Sequence, residues 1–374
     1  VPTLRSFFAI YTHGAGLHEP VRAGDSITTT VVELTPPLTA APSDELYGPH
    51  AAPFRAFTPR RAFLIGFSKP LKGRAESFFL EVRDAVLRAT EGLEGFGLDV
   101  LKLWPFPLAG AAEALPEDLL AEDLFSFGIT ERGAHGFQLE TFGLAKLDQR
   151  EISFEFSGHE LVEEATLLCG HLADWLLEHT RRVEPGQAMS FGFDKLTFEA
   201  AEGRSGRALR AYHPALIQRL LPEAAFPGLG LLRVSAPPTL PKDHAVAGDL
   251  STVLRRSMEQ RLLLEEQDLT GDSPHSETTA EVRGAWSELR NLVASRDESI
   301  SGKDSGWRIR SGSLAEPHAT KPLAEIAAKL PELVRYLALP VGIRLAWDAE
   351  GRLTIDRSKV ELDDDDFEDS LPDE

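Results

Sequence analysis

Apolar residues recur along this chain in two rhythms, alternate positions and steps of three and four, and the switches between them mark the predicted elements. Residues 62–67 form a short apolar run that reads as a strand, residues 72–90 as a helix, and residues 98–103 as a second strand. Phe78, Val82, Val86 and Leu87 line one side of that helix, the spacing with which a helix covers a sheet. Before this β-α-β unit, strand-like runs at 5–11 and 26–34 alternate with turns carrying Pro36, Pro37, Pro42, Pro49 and Pro53, and the segment reads as an irregular wrapping arm. Residues 106–122 read as a connecting loop with a short helix opening near Pro116.

Strands follow at 136–147 and 152–156, joined by the polar turn Asp148-Gln149-Arg150; in the second, Ile152, Phe154 and Phe156 alternate with Ser153 and Glu155. Ser157 is the expected N-cap of a helix running to about Arg182. Leu161, Ala165, Leu168, Leu172, Trp175 and Leu176 make its apolar face, while Glu160, Glu163, Asp174 and Glu178 fall on another side with His171 nearby. Val183-Glu184-Pro185-Gly186 stops the helix, and residues 188–193 and 195–200 return to strand patterning.

Beyond Gly203 the rhythm is mostly helical. Residues 207–221 read as a short strand and helix, 229–235 as a strand, and 245–267 as a helix with Leu250, Leu254, Met258 and Leu262 in step. Val282, Trp286, Leu289 and Val293 place a second helix over 279–293, and residues 294–315, rich in Ser, Gly, Asp and Lys, read as a mobile linker or loop. A helix over 323–330 restarts at Pro331, and residues 341–347 and 352–356 flank a hairpin turn. The fold class is therefore α+β. Mixed or antiparallel sheets covered by helices occupy residues 1–203, with sheet-plus-helix units at 61–103 and 136–200; a mainly helical region with a β-hairpin spans 204–360, and an acidic tail, expected to be disordered, spans 361–374.

Composition adds charge to this picture. The 374 residues hold 39 bases and 59 acids, for a formal charge of -20. Nine of the acids lie in the tail, and without them the remaining 39 bases and 50 acids still leave -11. Such a field disfavours nucleic acid and anionic membrane and speeds encounter with a basic protein. No apolar run is long enough to span a bilayer, and the first residues lack a signal-peptide pattern, so the expected compartment is the cytoplasm. The one cysteine, Cys169, stands among Leu167, Leu168 and Leu172 and reads as a small buried apolar side chain.

Candidate chemistry is sparse. His159-Glu160 opens like a zinc-peptidase helix, but that motif needs a second His four residues on, where Glu163 stands. His179 falls on the apolar face and reads as a core histidine. Tyr11-Thr12-His13-Gly14-Ala15-Gly16 lacks the lysine of a phosphate loop, and no Gly-x-Ser-x-Gly elbow occurs. No catalytic residue, metal site or cofactor is assigned. Glu160, Glu163, His171, Asp174 and Glu178 stay as a polar face able to hold a hard cation or a basic side chain, its bland alternative being a solvated surface. The tail run Asp363, Asp364, Asp365, Asp366, Phe367, Glu368 and Asp369 is the candidate contact element, with the aromatic as anchor and the acids for steering.

The run Thr141-Phe142-Gly143-Leu144, the following strand, the helix and the closing Glu184-Pro185-Gly186-Gln187-Ala188-Met189 resemble an uncharacterised bacterial domain family over residues 138–191. Its members share a Thr-x-Gly strand, an acidic strand end, and a helix followed by a Pro-Gly-Asp-like turn; Gln187 departs from the acid of that turn. Related domains are often encoded beside toxin systems, so the resemblance implies an immunity or binding role and carries no catalytic residue here. The leading expectation is a non-enzymatic inhibitor of the immunity or antitoxin kind that masks a basic partner such as a toxin. Two alternatives stay open: an enzyme whose site is assembled around His13, His171 or the carboxylate face, and an adaptor that forms homo-oligomers through Leu254 and Leu262.

Overall fold

The computed structural model of the chain describes residues 5–18, 22–23, 27–34, 60–67, 75–99, 104–114, 125–142, 144, 149–178, 183–201, 231–240, 249–312 and 318–360. The first elements are β1 (Arg5–Thr12), β2 (Arg22–Ala23), β3 (Ile27–Leu34), β4 (Arg61–Phe67), α1 (Ala75–Thr90), β5 (Gly95–Asp99), β6 (Trp104–Pro107) and α2 (Ala111–Ala114). Then come β7 (Ser126–Arg132), β8 (Gly136–Phe142), β9 (Glu151–Ser157), a 3-10 turn (His159–Leu161) and α3 (Val162–Glu178). The hairpin strands β10 (Ala188–Phe191) and β11 (Asp194–Ala201) precede β12 (Leu231–Ser235), α4 (Ser251–Gln267) and β13 (Thr279–Arg283). The chain continues through β14 (Leu292–Arg296), β15 (Asp304–Ser311), β16 (His318–Pro322) and α5 (Leu323–Lys329). A 3-10 helix (Pro331–Tyr336), β17 (Arg344–Trp347) and β18 (Leu353–Asp356) complete it.

Packing divides the chain into two compact units, one of Val1–Glu155, Ala165–Gln187 and Phe198–Val234, the other of Phe156–Glu164, Ala188–Thr197 and Ser235–Glu374. In the first unit one sheet has the order β2-β3-β4-β1-β5-β6. The segment read as an irregular arm thus supplies the middle of a sheet, because β1 pairs antiparallel with both β4 and β5. A strand-helix-strand unit exists, with its second strand at Gly95–Asp99 rather than 98–103 and with β1 inserted between its two strands. Phe8, Ile10 and Tyr11 are fully buried there, and Tyr11 stacks on Phe96 at 4.6 Å. The strand-like runs read at 5–11 and 26–34 are strands; what the sequence did not show is that the first of them, with its apolar content, takes a central place in the sheet.

A second set of strands in this unit runs β12-β9-β8-β7. β9 pairs parallel with β12, aligning Leu231 with Glu151. Thr141 ties β8 to β9: its hydroxyl donates to Glu151 Oε2 at 2.9 Å and accepts from the Ile152 N–H at 2.8 Å, all three residues being buried. On α3, Ala165, Leu168, Cys169, Leu172, Ala173 and Leu176 are buried, as the three- and four-residue spacing predicts. Val183 donates to Gln149 Oε1 at 2.9 Å and Glu184 to Gln187 Oε1 at 2.8 Å, so the amide side chain of Gln187 closes the Pro-Gly turn. Ser157 does not cap the helix; it ends β9, and its backbone N–H donates to Ser251 Oγ at 2.7 Å.

The second unit differs most from expectation. Residues 279–293 are not a helix, and the described part of the expected linker or loop, 294–312, holds strands: Thr279–Arg283, Leu292–Arg296 and Asp304–Ser311 belong to a six-stranded sheet, β16-β13-β15-β14-β17-β18. Its apolar side is one register row, Ala319, Val282, Ile309, Ala294, Leu345 and Ile355 across the strands. Val282, Ile309, Ala294 and Leu345 join a core with Trp307, Leu263 of α4, Ile326 of α5, and Leu333 and Val334 of the 3-10 helix. Trp307 is fully buried and its indole N–H donates to the Leu337 carbonyl at 3.2 Å. Burying such a row contributes about 1.5–3 kcal/mol per large side chain. The helices over 251–267 and 323–329 and the hairpin of β17 and β18 agree with the sequence. Residues 207–221, His179 and the acidic tail 361–374 lie outside the described residues.

Candidate functional site

The predicted polar face divides into an ion-paired stretch and an open one. Glu164, only 1% exposed, accepts from Arg261 Nε at 2.6 Å; Arg261 also reaches Glu163 at 3.3 Å and Glu265 at 2.7 Å. Glu160 pairs with Arg255 at 3.3 Å, and hydrogen bonding by its own backbone N–H holds its carboxyl below the usual range. Glu160 and Glu163 are therefore occupied by arginines of α4. Arg261 is held firmly cationic, first through its bond to Glu164.

Further along α3 the face is open. Leu167 is 49% exposed, and Gly170, His171 and Asp174 are exposed beside it. Steps of three, four and seven from Leu167 put these residues on one strip of the helix surface. Gly170 has nothing within 4 Å of where a Cβ would stand, so no packing inside the chain calls for a glycine there. A mid-helix glycine costs about 1 kcal/mol relative to alanine, and its use is to let another backbone or side chain come close. The side chain of Glu178 lies outside the described residues. Cys169, on the buried side, is 1% exposed, and burial pushes its thiol up, so it stays protonated and inert. Leu167 and Gly170 were missed in the sequence because a leucine inside a leucine-rich run reads as core; the exposed angle, one step outside the buried stripe, is the signal that was available.

The polar side of the C-terminal sheet is the second surface, hidden from the sequence by the mistaken helix and linker. One register row across it reads Thr320, Glu281, Arg308, Ser295, Arg344, Asp356, and the next reads His318, Arg283, Arg310, Val293, Ala346, Thr354. Asp304 grips Arg308 through two bonds of 2.8 and 2.9 Å and accepts from the backbone N–H groups of Ile300 and Gly306. Its carboxyl is held far below the ordinary range, above all by Arg308. Glu281 bonds Arg283 at 2.7 Å and stands 3.8 Å from Arg308. Arg310 has no ion pair among the described residues.

His13 and His171 are both exposed, and no group of three or more His, Cys, Asp or Glu side chains able to hold a metal occurs among the described residues. His275 has its Nε2 buried without a hydrogen bond, and desolvation lowers its pKa. Its Nδ1 accepts from the Glu277 N–H at 3.3 Å, and Glu277 pairs with Lys195 at 3.1 Å. No described helix is long and apolar enough to cross a membrane. Comparison with protein-family models, with characterised proteins and with solved structures finds no match to this chain.

Proposed function

We propose that the protein is a non-enzymatic binding protein that masks a basic protein partner, in the manner of an immunity or antitoxin protein. The observation that carries this reading is the strip of Leu167, Gly170, His171 and Asp174: a half-exposed leucine beside an uncrowded helix backbone, on a chain of formal charge -20. An apolar anchor supplies the contact that is desolvated on binding, and the acidic field selects and steers a cationic partner. The resemblance of residues 138–191 to a domain family encoded beside toxin systems points the same way. Glu160 and Glu163 do not belong to this contact, since arginines of their own chain already hold them.

The test is retention of a partner from the source cell on immobilised full-length chain and on Leu167→Asp, followed by calorimetry with the purified partner. We expect one basic protein held at equal stoichiometry by the parent chain and bound at least about 100-fold more weakly by Leu167→Asp, consistent with loss of a buried anchor. Equal affinity in both, with matching thermal unfolding, would overturn the proposal. Self-association through α4 is a second reading favoured by Leu262, which is 48% exposed. Leu254 is wholly buried and belongs to the fold, so only Leu262→Asp tests that reading, by sedimentation.

A further inference from the structure

The end of the C-terminal sheet where β14 turns toward β15 is braced by one arginine. Arg296, the last residue of β14, sends a single guanidinium nitrogen to the carbonyls of Asp272 at 2.9 Å, Leu337 at 3.3 Å and Leu339 at 2.7 Å. Its backbone N–H donates to the Ile343 carbonyl at 3.1 Å, and its carbonyl accepts from the Gly342 N–H at 2.8 Å. The segments around 272, 296 and 337–343 are thereby held together. Gly271 tightens the join, because a Cβ there would collide with the Ala338 carbonyl oxygen, and one on Gly306 would collide with that of Asp297.

The loop that leaves this end is firmly held as well. Asp304 accepts from the Ile300 N–H at 3.2 Å, Ser299 Oγ donates to the carbonyls of Ser301 at 2.7 Å and Asp304 at 2.6 Å, and the Asp297 N–H donates to the Gly306 carbonyl at 2.9 Å. Its tip nevertheless presents Ile300 at 85% exposure, the highest of any large apolar side chain among the described residues. Val341, 44% exposed, precedes the Gly342 that bonds Arg296 and so belongs to the same end. Exposed apolar residues scattered singly are ordinary. Two β-branched side chains on one braced platform are different, because both the backbone and χ1 are already fixed and little freedom is lost when a partner covers them. Asp272, Asp297 and Glu298 are exposed on the same segments, and the one base of residues 297–303 is Lys303.

We propose that this sheet end is a contact surface for the basic protein partner, with Ile300 and Val341 as its apolar anchors. The partner it fits has an apolar recess for the two side chains and a basic rim facing Asp272, Asp297 and Glu298. A second copy of this acidic chain would set like charges against those acids, so charge selects a basic protein over self-association. The inference rests on the reading of a basic partner but not on the Leu167 strip, which lies in the other compact unit.

Calorimetry with the basic protein purified from the source cell, on the parent chain, Ile300→Ser, Val341→Ser and Leu167→Asp, tests this, alongside sedimentation of each chain alone. Ile300→Ser should bind about tenfold or more weakly and Val341→Ser about threefold or more weakly, the scale of an apolar side chain no longer buried. Thermal unfolding should stay that of the parent, since both side chains are exposed and the backbone N–H of residue 300 keeps its bond to Asp304. Parent-like affinity of both serine variants with Leu167→Asp weakened would overturn this inference and leave the reading of a basic partner standing. Failure of the parent chain to bind any basic protein would overturn both. Self-association of the parent chain that is lost in Ile300→Ser would put a second copy on this surface and overturn the basic partner there.

Discussion

Gly170 allows a structural role and the proposed binding role to be measured separately. Cys169 beside it packs inward, but Gly170 lies on the exposed strip with Leu167, His171 and Asp174, and a methyl group at this position would meet nothing within 4 Å. Gly170→Ala should therefore raise stability by about 1 kcal/mol through helix propensity, read as a shift in the urea unfolding midpoint. If the strip around Leu167 receives a partner, the same substitution weakens binding, so gain in one measurement and loss in the other is the expected pattern. Absence of the gain would mean that the helix is strained at this point for another reason. Single residues also set the limit of sequence reading. Glu160 and Glu163 were legible as exposed acids, but their arginine partners stand more than ninety residues away, and no local pattern carries that information.

At the scale of elements, what was legible depended on whether one period stood alone. α3 was readable because its buried stripe is continuous from Ala165 to Leu176 and a Pro-Gly turn ends it. Residues 279–293 misled because Val282, Trp286, Leu289 and Val293 satisfy helical spacing by coincidence. The structure instead uses alternation, Ala280 with Val282 and Leu292 with Ala294, and turns between them at Gly284 and Asn291, which has φ of 51°. In β15 the alternation of Trp307 and Ile309 with Arg308 and Arg310 was present, masked by the Ser, Gly and Asp around it. The start of β15 is pinned by Asp304, bonded to Arg308 and to two backbone N–H groups. Because folding lowers its pKa, its contribution is complete above the unfolded value near 3.9 and is lost as pH falls through the folded one. Asp304→Ala should cost about 2 kcal/mol at neutral pH, with the gap to the parent chain constant above about pH 5 and narrowing below about pH 4 in urea unfolding. A gap unchanged into acid would mean that the loss is one of packing.

Charge is a property of the whole chain, and it separates two kinetic roles. The acidic excess of -11 without the tail and -20 with it acts over several ångströms of solvent, whereas the contact proposed for Leu167 would act only at van der Waals range. Raising salt from about 0.1 M to about 1 M shortens the screening length from about 10 Å to about 3 Å, which removes steering but leaves a desolvated apolar contact in place. With the purified basic partner, association should slow by about tenfold or more over that range while dissociation changes little. Leu167→Asp should do the opposite, speeding dissociation and leaving the salt slope of association intact. Removing the tail takes nine negative charges from that field, so the chain ending at Val360 should associate more slowly than the parent chain and show a shallower salt dependence. Stopped-flow measurement on the parent chain, Leu167→Asp and the chain ending at Val360 resolves these contributions. A salt-independent association rate would remove the acidic field from the mechanism and leave the apolar strip as the recognition element.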